Sequence, residues 1–231
     1  MAPVAQRDGL GLPAKFTRRN LNIQPGIDSA PGWRIFDFIT IRGFNAPMKI
    51  AFIGTHGVGK TTLCFELAAA LKRLDLSVDL VKEVARGCPL PINRDTTSDA
   101  QNWILHTQVA REIELSDGFD VIVCDRAVVD NYAYMVHAEG RRPEIEPFIR
   151  HWMLSYDLLV KVPVITAPSF DGTRDTSVDF QLGIDKLIDE LLVEFELKCL
   201  ELPGGTRDGW VLKVLEAMDL PGEPPQLDLF I

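Results

Sequence analysis

Residues 48–62 read MKIAFIGTHGVGKTT. Six mostly apolar residues run straight into Gly54-Thr55-His56-Gly57-Val58-Gly59-Lys60-Thr61, a complete GxxxxGK[ST] loop. Beyond it, Leu63, Leu67, Leu71 and Leu74 recur at spacings of four, four and three, which puts them on one helical face. The stretch is therefore strand, loop, helix, the context that gives this motif its meaning. Its glycines let successive backbone N–H groups point inward at phosphate oxygens, and the helix adds the positive end of its dipole. Gly54 through Thr62 are the candidate phosphate cradle. Lys60 is placed to reach the outer phosphates, and the Thr61 hydroxyl to ligate Mg²⁺. An ordinary Gly-rich strand-to-helix turn is the bland alternative.

Outward from this point, strand signals recur at 77–82 (SVDLVK), 119–124 (FDVIVC), 157–162 (DLLVKV) and, weakly, 198–202 (KCLEL). Helical patterns separate them. Ile184, Leu187, Ile188, Leu191, Leu192 and Phe195 form one strong stripe, and a helix over 99–116 would align Trp103, Ile104, Thr107, Ala110 and Ile113. Strands alternating with helices predict a three-layer α/β/α fold, a P-loop NTPase with a five-stranded parallel sheet. Its ligand is expected at the carboxyl ends of the strands.

Composition narrows the rest. The 231 residues suit one domain of this class. No run of 18 apolar residues occurs and the first residues lack a secretory core, so a soluble, cytoplasmic protein with no membrane association is expected. Four scattered cysteines suggest neither a zinc site nor a disulfide framework. The formal charge of −9 divides into +3 over residues 1–47 and −12 over the remainder, which opposes an extended nucleic-acid surface. Residues 1–47 are Gly- and Pro-dotted without period, a poorly structured basic extension. It reads as a stretch upstream of a natural start at Met48, as a basic arm touching nucleic acid, or as a targeting peptide. The domain is expected over 48–219 and a flexible tail over 220–231.

Three further segments carry chemistry. The third strand ends in Asp125-Arg126. Asp125 is the candidate Mg²⁺ carboxylate. Arg126 stands where motor ATPases of the AAA+ type place a water-activating Glu, and an arginine suits transfer to an acceptor better than hydrolysis. A structural ion pair is its alternative role. Glu83 closes the second strand with Arg86 three residues on; Glu83 is a candidate base or sugar-hydroxyl partner and Arg86 an anion contact, or the two form a surface pair. After the fourth strand, 169–176 (SFDGTRDT) has the polar, turn-rich character of a kinase-type lid, with Arg174 closing over the phosphates.

Taken in order, IAFIGTHGVGKTT, KEVAR, AQNWILHTQ, VIVCDRAVVDNYAY and FDGTRDT resemble the AAA-type ATPase-like P-loop group that includes the nicotinamide riboside kinase domain of the bacterial NAD regulator. More broadly the chain resembles nucleoside and nucleoside-monophosphate kinases. The likeness spans about residues 48–218 and implies ATP on the phosphate loop, Glu83 as base, Asp125-Arg126 serving Mg²⁺ and the migrating phosphoryl, and Arg174 as lid arginine. The 203–206 stretch only loosely matches an adenine-binding loop. The acceptor pocket is expected from the helix over 95–108 and the segment 130–134, with Arg86, Gln101, Trp103 and Tyr132 as acceptor contacts and His106 as a further base reader; Trp103 is equally a helix-core residue.

The extreme C-terminus, Gln226-Leu227-Asp228-Leu229-Phe230 behind a Pro-rich spacer, matches the short peptide by which bacterial polymerases and repair proteins dock on the sliding clamp. Fold-back of its Leu and Phe onto the domain is the alternative. The sequence thus leads to a Mg·ATP-dependent kinase acting on a nucleoside, nucleotide or related small acceptor, with a nucleotide-binding switch or accessory ATPase as the second class.

Overall fold

The computed structural model describes residues 46–167 and 176–223. The basic extension, the lid candidate Arg174 and the tail residues Gln226, Leu227, Asp228, Leu229 and Phe230 lie outside the described residues.

Five parallel strands, β1 (Met48–Ile53), β2 (Val78–Val81), β3 (Val121–Asp125), β4 (Leu158–Lys161) and β5 (Leu200–Glu201), form one sheet in the order β2-β3-β1-β4-β5. Six helices cover it: α1 (Lys60–Arg73), α2 (Ser98–Glu114), α3 (Val128–Glu139), α4 (Glu146–Met153), α5 (Val178–Glu194) and α6 (Trp210–Ala217). The α/β/α layering expected from the alternation of strand and helix signals is what the chain forms. β1 is central, Ile50 aligning with Val123 on one side and Leu158 on the other. Because the chain leaves β1 for β2 and later returns to β4 on the opposite flank, the carboxyl end of β1 is a topological switch point, where such sheets open a crevice.

Side chains alternate across the pleat and so feed two separate cores. Ile50 and Phe52 pack with α1 and α6, including Leu63, Leu67, Leu71 and Trp210. Ala51 and Ile53 face the layer of α2, α3, α4 and α5, including Leu105, Tyr132, Ile184 and Ile188. Each fully buried leucine of α1 contributes roughly 1.5–3 kcal/mol relative to exposure. β5 is shorter than its sequence signal; it pairs only through Val160 with Leu200 and Lys161 with Glu201 before Pro203 ends the ladder.

The orientation of α2 departs from the sequence expectation. Ala110 and Ile113 are exposed, Ile113 by 55%, and the buried stripe is Ala100, Gln101, Ile104, Leu105, Gln108 and Glu112. Apolar periodicity picks the wrong face here because three of the inward positions are polar, each engaged in hydrogen bonds described below.

Candidate active site

The phosphate loop joins β1 to α1 with Gly54 at φ 138° and Gly59 at φ 98°. A Cβ on Gly54 would lie 2.8 Å from the Val162 backbone carbonyl oxygen, so that position needs glycine for space as well as for backbone angle, while Gly59 needs it for backbone angle and lies against the movable Arg207 guanidinium. The first half of the loop is anchored to protein. Gly54 N donates to Asp130 Oδ1 (2.8 Å) and His56 N to Tyr134 Oη (3.1 Å), while Gln181 Nε2 of α5 donates to the His56 carbonyl (2.9 Å). Val58 is fully buried in the α1 core. Of the predicted cradle, Gly54, Thr55 and Val58 therefore serve as foundation. His56, Gly57, Gly59, Lys60, Thr61 and Thr62 line a cavity of about 220 Å³.

Glu83, Asp125, Arg126, Thr166, Ala167 and Arg207 complete that cavity. Lys60 Nζ donates to the carbonyls of Gly54 (2.8 Å) and Thr55 (2.6 Å). Burial, and then the nearby Arg126 charge, lower its pKa to about 8. Thr61 Oγ1 donates to Asp125 Oδ2 at 2.5 Å. Burial raises the Asp125 carboxyl above its ordinary range against the opposing pull of Lys60, and Asp125 Oδ1 has no hydrogen-bond partner. A buried carboxylate oxygen without a partner, next to a threonine hydroxyl at the start of a phosphate-loop helix, is the donor set a hard cation such as Mg²⁺ takes when phosphates supply its other ligands. The residues fit that ion. Among the described residues no cluster of three or more His, Cys, Asp or Glu side chains forms a metal site of its own.

Arg126 follows Asp125 with φ at 99°, a conformation that costs a bulky residue about 1–3 kcal/mol. Its amide donates to Phe52 O (3.2 Å), its carbonyl accepts from Gln108 Nε2 (3.2 Å), and its guanidinium lies 4.8 Å from the Tyr134 ring centre. Nε and Nη2 donate to Glu83 Oε1 (3.0 and 2.7 Å), while Nη1 has no partner. Glu83 Oε2 accepts from Arg86 Nε at 2.9 Å. Burial alone would raise the Glu83 carboxyl, but Arg126, Lys60 and Arg86 together hold it well below the usual carboxylate range. Glu83, Arg86 and Arg126 are thus brought together as one ion-paired group at the mouth of the sheet.

A second cavity, of about 60 Å³, shares His56, Glu83 and Arg126 with the first. Its other walls include Ala85 and Arg86, Ile92 and Asn93, Gln101 and Ile104 of α2, and Asn131 and Tyr134 of α3. Gln101 is 3% exposed; its Nε2 donates to Thr96 Oγ1 (2.7 Å) and its Oε1 has no partner. Asn131 Nδ2 is likewise buried and unpartnered. Two residues of this wall thus carry one acceptor and one donor without a hydrogen-bond partner. Two expected acceptor contacts lie elsewhere. Tyr132 is fully buried in the helical layer, its hydroxyl donating to Glu146 (2.6 Å) and accepting from Arg142 N (3.0 Å). Two residues along a helix turns the side chain to the opposite face, so Tyr134 lines the cavity instead. Trp103 is half-buried, its ring edge 3.9 Å from where a Gly87 Cβ would stand, outside both cavities. His106 is exposed, with Nδ1 2.8 Å from the Asn102 carbonyl oxygen one turn back.

A family model described as an AAA domain matches residues 49–208. The chain belongs to the AAA domain family. Solved structures show where this member's fold recurs. It superposes on NadR in complex with NR with a TM-score of 0.63 at 19% identity, covering 78% of this chain and 54% of that one. It therefore spans about half the length of NadR. A thymidylate kinase from Candida albicans gives 0.56 at 16% identity, covering 75% and 92%, and a deoxyadenosine kinase from M. mycoides with bound dATP gives 0.57 at 16%, covering 74% and 99%. No curated protein sequence matches the chain. The AAA domain thus has the architecture of P-loop kinases, as the resemblance implied, and none of its described helices is long and apolar enough to cross a membrane.

Asn131 and Tyr134 belong to the 130–134 segment expected in the acceptor pocket, although Tyr132 alone was singled out there as a contact. Asp130, expected in the pocket wall, is fully buried and bridges Gly54 N and Ala127 N (2.9 Å), the latter bond capping α3; an acidic residue in a first helical turn was the available signal. Arg207 had no motif at all. It follows β5, is exposed, and its guanidinium rests against Gly59.

Proposed function

We propose that this AAA domain is a Mg·ATP-dependent kinase that transfers a phosphoryl group to a nucleoside, a nucleotide or a related small acceptor. One observation carries this reading: the phosphate-loop cavity and the second cavity adjoin through a shared wall of His56, Glu83 and Arg126. Donor and acceptor would meet across that wall, as in-line transfer requires. Lys60, drawn from the Gly54 and Thr55 carbonyls to the outer phosphates, and Arg126, with Nη1 uncommitted, would meet the charge that develops on the migrating group. Thr61 and Asp125 would hold Mg²⁺, which neutralises charge on the phosphate oxygens. Gln101 and Asn131 offer an acceptor and a donor to the polar edge of a base or carboxamide. Arg174 would close over the phosphates as lid arginine.

Both Glu83 oxygens are engaged by arginines and the carboxyl is held ionised, so a hydroxyl acceptor would have to displace Arg86 to use Glu83 as base. An acceptor that is already an anion needs no base and would use Arg86 as its contact. The solved folds include enzymes named for both nucleoside and nucleotide acceptors. A finer proposal rests on the 226–230 peptide: docking on a sliding clamp would place a cytoplasmic enzyme near bacterial DNA replication or repair by raising its local concentration. The engaged state of Glu83 also favours a second reading, a nucleotide-binding switch or accessory ATPase that signals to a partner.

The decisive experiment screens nucleosides, mononucleotides and 5′-hydroxyl oligonucleotides with γ-labelled ATP. Label on an acceptor, lost in Lys60→Ala, supports the kinase. ATP binding with no acceptor labelled, and partner binding lost in Lys60→Ala, would replace it with the switch.

A further inference from the structure

Behind the shared wall lies a polar network that the proposed chemistry does not use. Glu112 of α2 is 1% exposed and its carboxylate accepts four hydrogen bonds. Oε1 takes Gln108 Nε2 (2.9 Å) and Tyr156 Oη (2.6 Å); Oε2 takes Lys49 Nζ (2.8 Å) and Trp152 Nε1 (2.9 Å). Four bonds fill the acceptor capacity of a carboxylate. Two of the four donors also reach the backbone that follows β3. Gln108 Nε2 also donates to the Arg126 carbonyl (3.2 Å), and the Tyr156 hydroxyl also accepts from Val128 N (3.1 Å). Glu112 thus reaches, through two arms, both ends of the three-residue corner that carries the positive φ of Arg126.

The chemistry of Gln108 is informative. It is fully buried, both contacts are made by its amide nitrogen, and its Oε1 has no partner. Two acceptors, Glu112 Oε1 and Arg126 O, fix which end of the amide faces them. A buried, half-satisfied amide is costly where a methionine or leucine would fill the same space. Stability alone does not account for it; the donor to the Arg126 carbonyl does.

We infer that Gln108 is a positioning residue which, held by Glu112, fixes the strained Arg126 backbone so that its guanidinium stands between the two cavities. This rests on the kinase reading for its kinetic consequence but not for its structural one. Gln108→Met keeps volume and removes both donors, and Trp152→Phe weakens the same network on the side away from Arg126.

The first readout needs no substrate: the ¹⁵N–¹H cross-peak of Arg126 Nε, assigned by its loss in Arg126→Lys, in nucleotide-free protein. It is expected to broaden or exchange at least tenfold faster in Gln108→Met and to stay as in wild type in Trp152→Phe. The second uses the acceptor found in the labelled-ATP screen, or Mg·ATP hydrolysis if none is found. Gln108→Met is expected to lower kcat about 10- to 100-fold with KM for ATP within twofold. In an Arg126→Lys background the same change is expected to lower kcat less than threefold. Gln108→Asn, whose shorter amide reaches neither acceptor, serves in place of Gln108→Met if that chain does not fold. An unchanged Nε cross-peak, or an equal loss of kcat in Trp152→Phe, or full multiplication with Arg126→Lys, would overturn the assignment. A wild-type chain that transfers to nothing while the cross-peak responds as stated would remove the kinase reading and leave the positioning role standing.

Discussion

Helices α1 and α2 lie in the two layers that flank the sheet, yet they bury opposite kinds of surface. Beyond the phosphate-loop lysine at its first position, α1 turns Leu63, Cys64, Leu67, Ala68, Ala70 and Leu71 inward, an apolar face with no polar atom to satisfy. α2 turns Gln101, Gln108 and Glu112 inward among Ala100, Ile104 and Leu105. Buried polar groups need hydrogen-bond partners, and each inward polar position of α2 meets one. One face of the sheet packs an apolar helix, and the other carries a wall of the second cavity and the hydrogen-bond network behind Arg126.

This contrast can be broken at several points, starting with the largest effect. Lys60→Ala should reduce transfer at least ~1000-fold, as loss of a phosphate-stabilising cation does, with Tm unchanged or raised because a desolvated lysine is removed. Labelled-ATP assays and calorimetry read the two quantities. Leu67→Ala in α1 should lower stability by roughly 2–5 kcal/mol through cavity formation while kcat and KM of the folded fraction stay within twofold; denaturant melts and kinetics check this. A change in KM for the acceptor would mean that the two faces are not separable. Arg207→Ala should weaken binding of a non-hydrolysable ATP analogue about tenfold, in the range of a lost charge-assisted hydrogen bond, with no change in Tm.

The lysine also gives the site a pH signature. In the free protein Lys60 is neutral above about pH 8, whereas bound polyphosphate favours the charged form. ATP binding should therefore take up a proton at pH 8.5 and take up none through Lys60 at pH 6.5, and affinity should fall as pH rises past 8. Titration calorimetry in buffers of different ionisation enthalpy detects the uptake. The same depressed pKa means that the unfolded chain binds more protons between about pH 8 and its ordinary value of 10.5, so this group makes the nucleotide-free fold more stable as pH rises through that window. Smallest of all, Ile113→Lys on the exposed side of α2 should change stability by about 0.5 kcal/mol or less, which separates the observed orientation of the helix from the one its apolar periodicity suggested.

That last residue shows why parts of the molecule were legible and others were not. β1, the phosphate loop and α1 could be read because one motif and one apolar stripe agree, and each local preference points to the same structure. Asp125 and Arg126 could be placed at the mouth of the sheet because a strand end is a fixed place. α2 misled because its inward face carries polar residues, and the most deeply engaged of them, Glu112, is satisfied by groups far away in sequence: Lys49 lies 63 positions from it and Tyr156 lies 44. Tyr132 and Tyr134 could not be told apart without knowing which way α3 is turned. Arg207 belongs to the site only through its approach to Gly59, a contact that no spacing announces.

Asp130 has a consequence of another kind. With one oxygen on Gly54 and the other on Ala127, a single carboxylate couples the exit of β1 to the first turn of α3, so the base of the phosphate loop and a wall of the second cavity share one joint. For anyone grafting a new helix onto this scaffold, Gly54 and Asp130 form one inherited unit. A transplant that carries Asn131 and Tyr134 without the aspartate would deliver that wall and leave the phosphate loop unmoored.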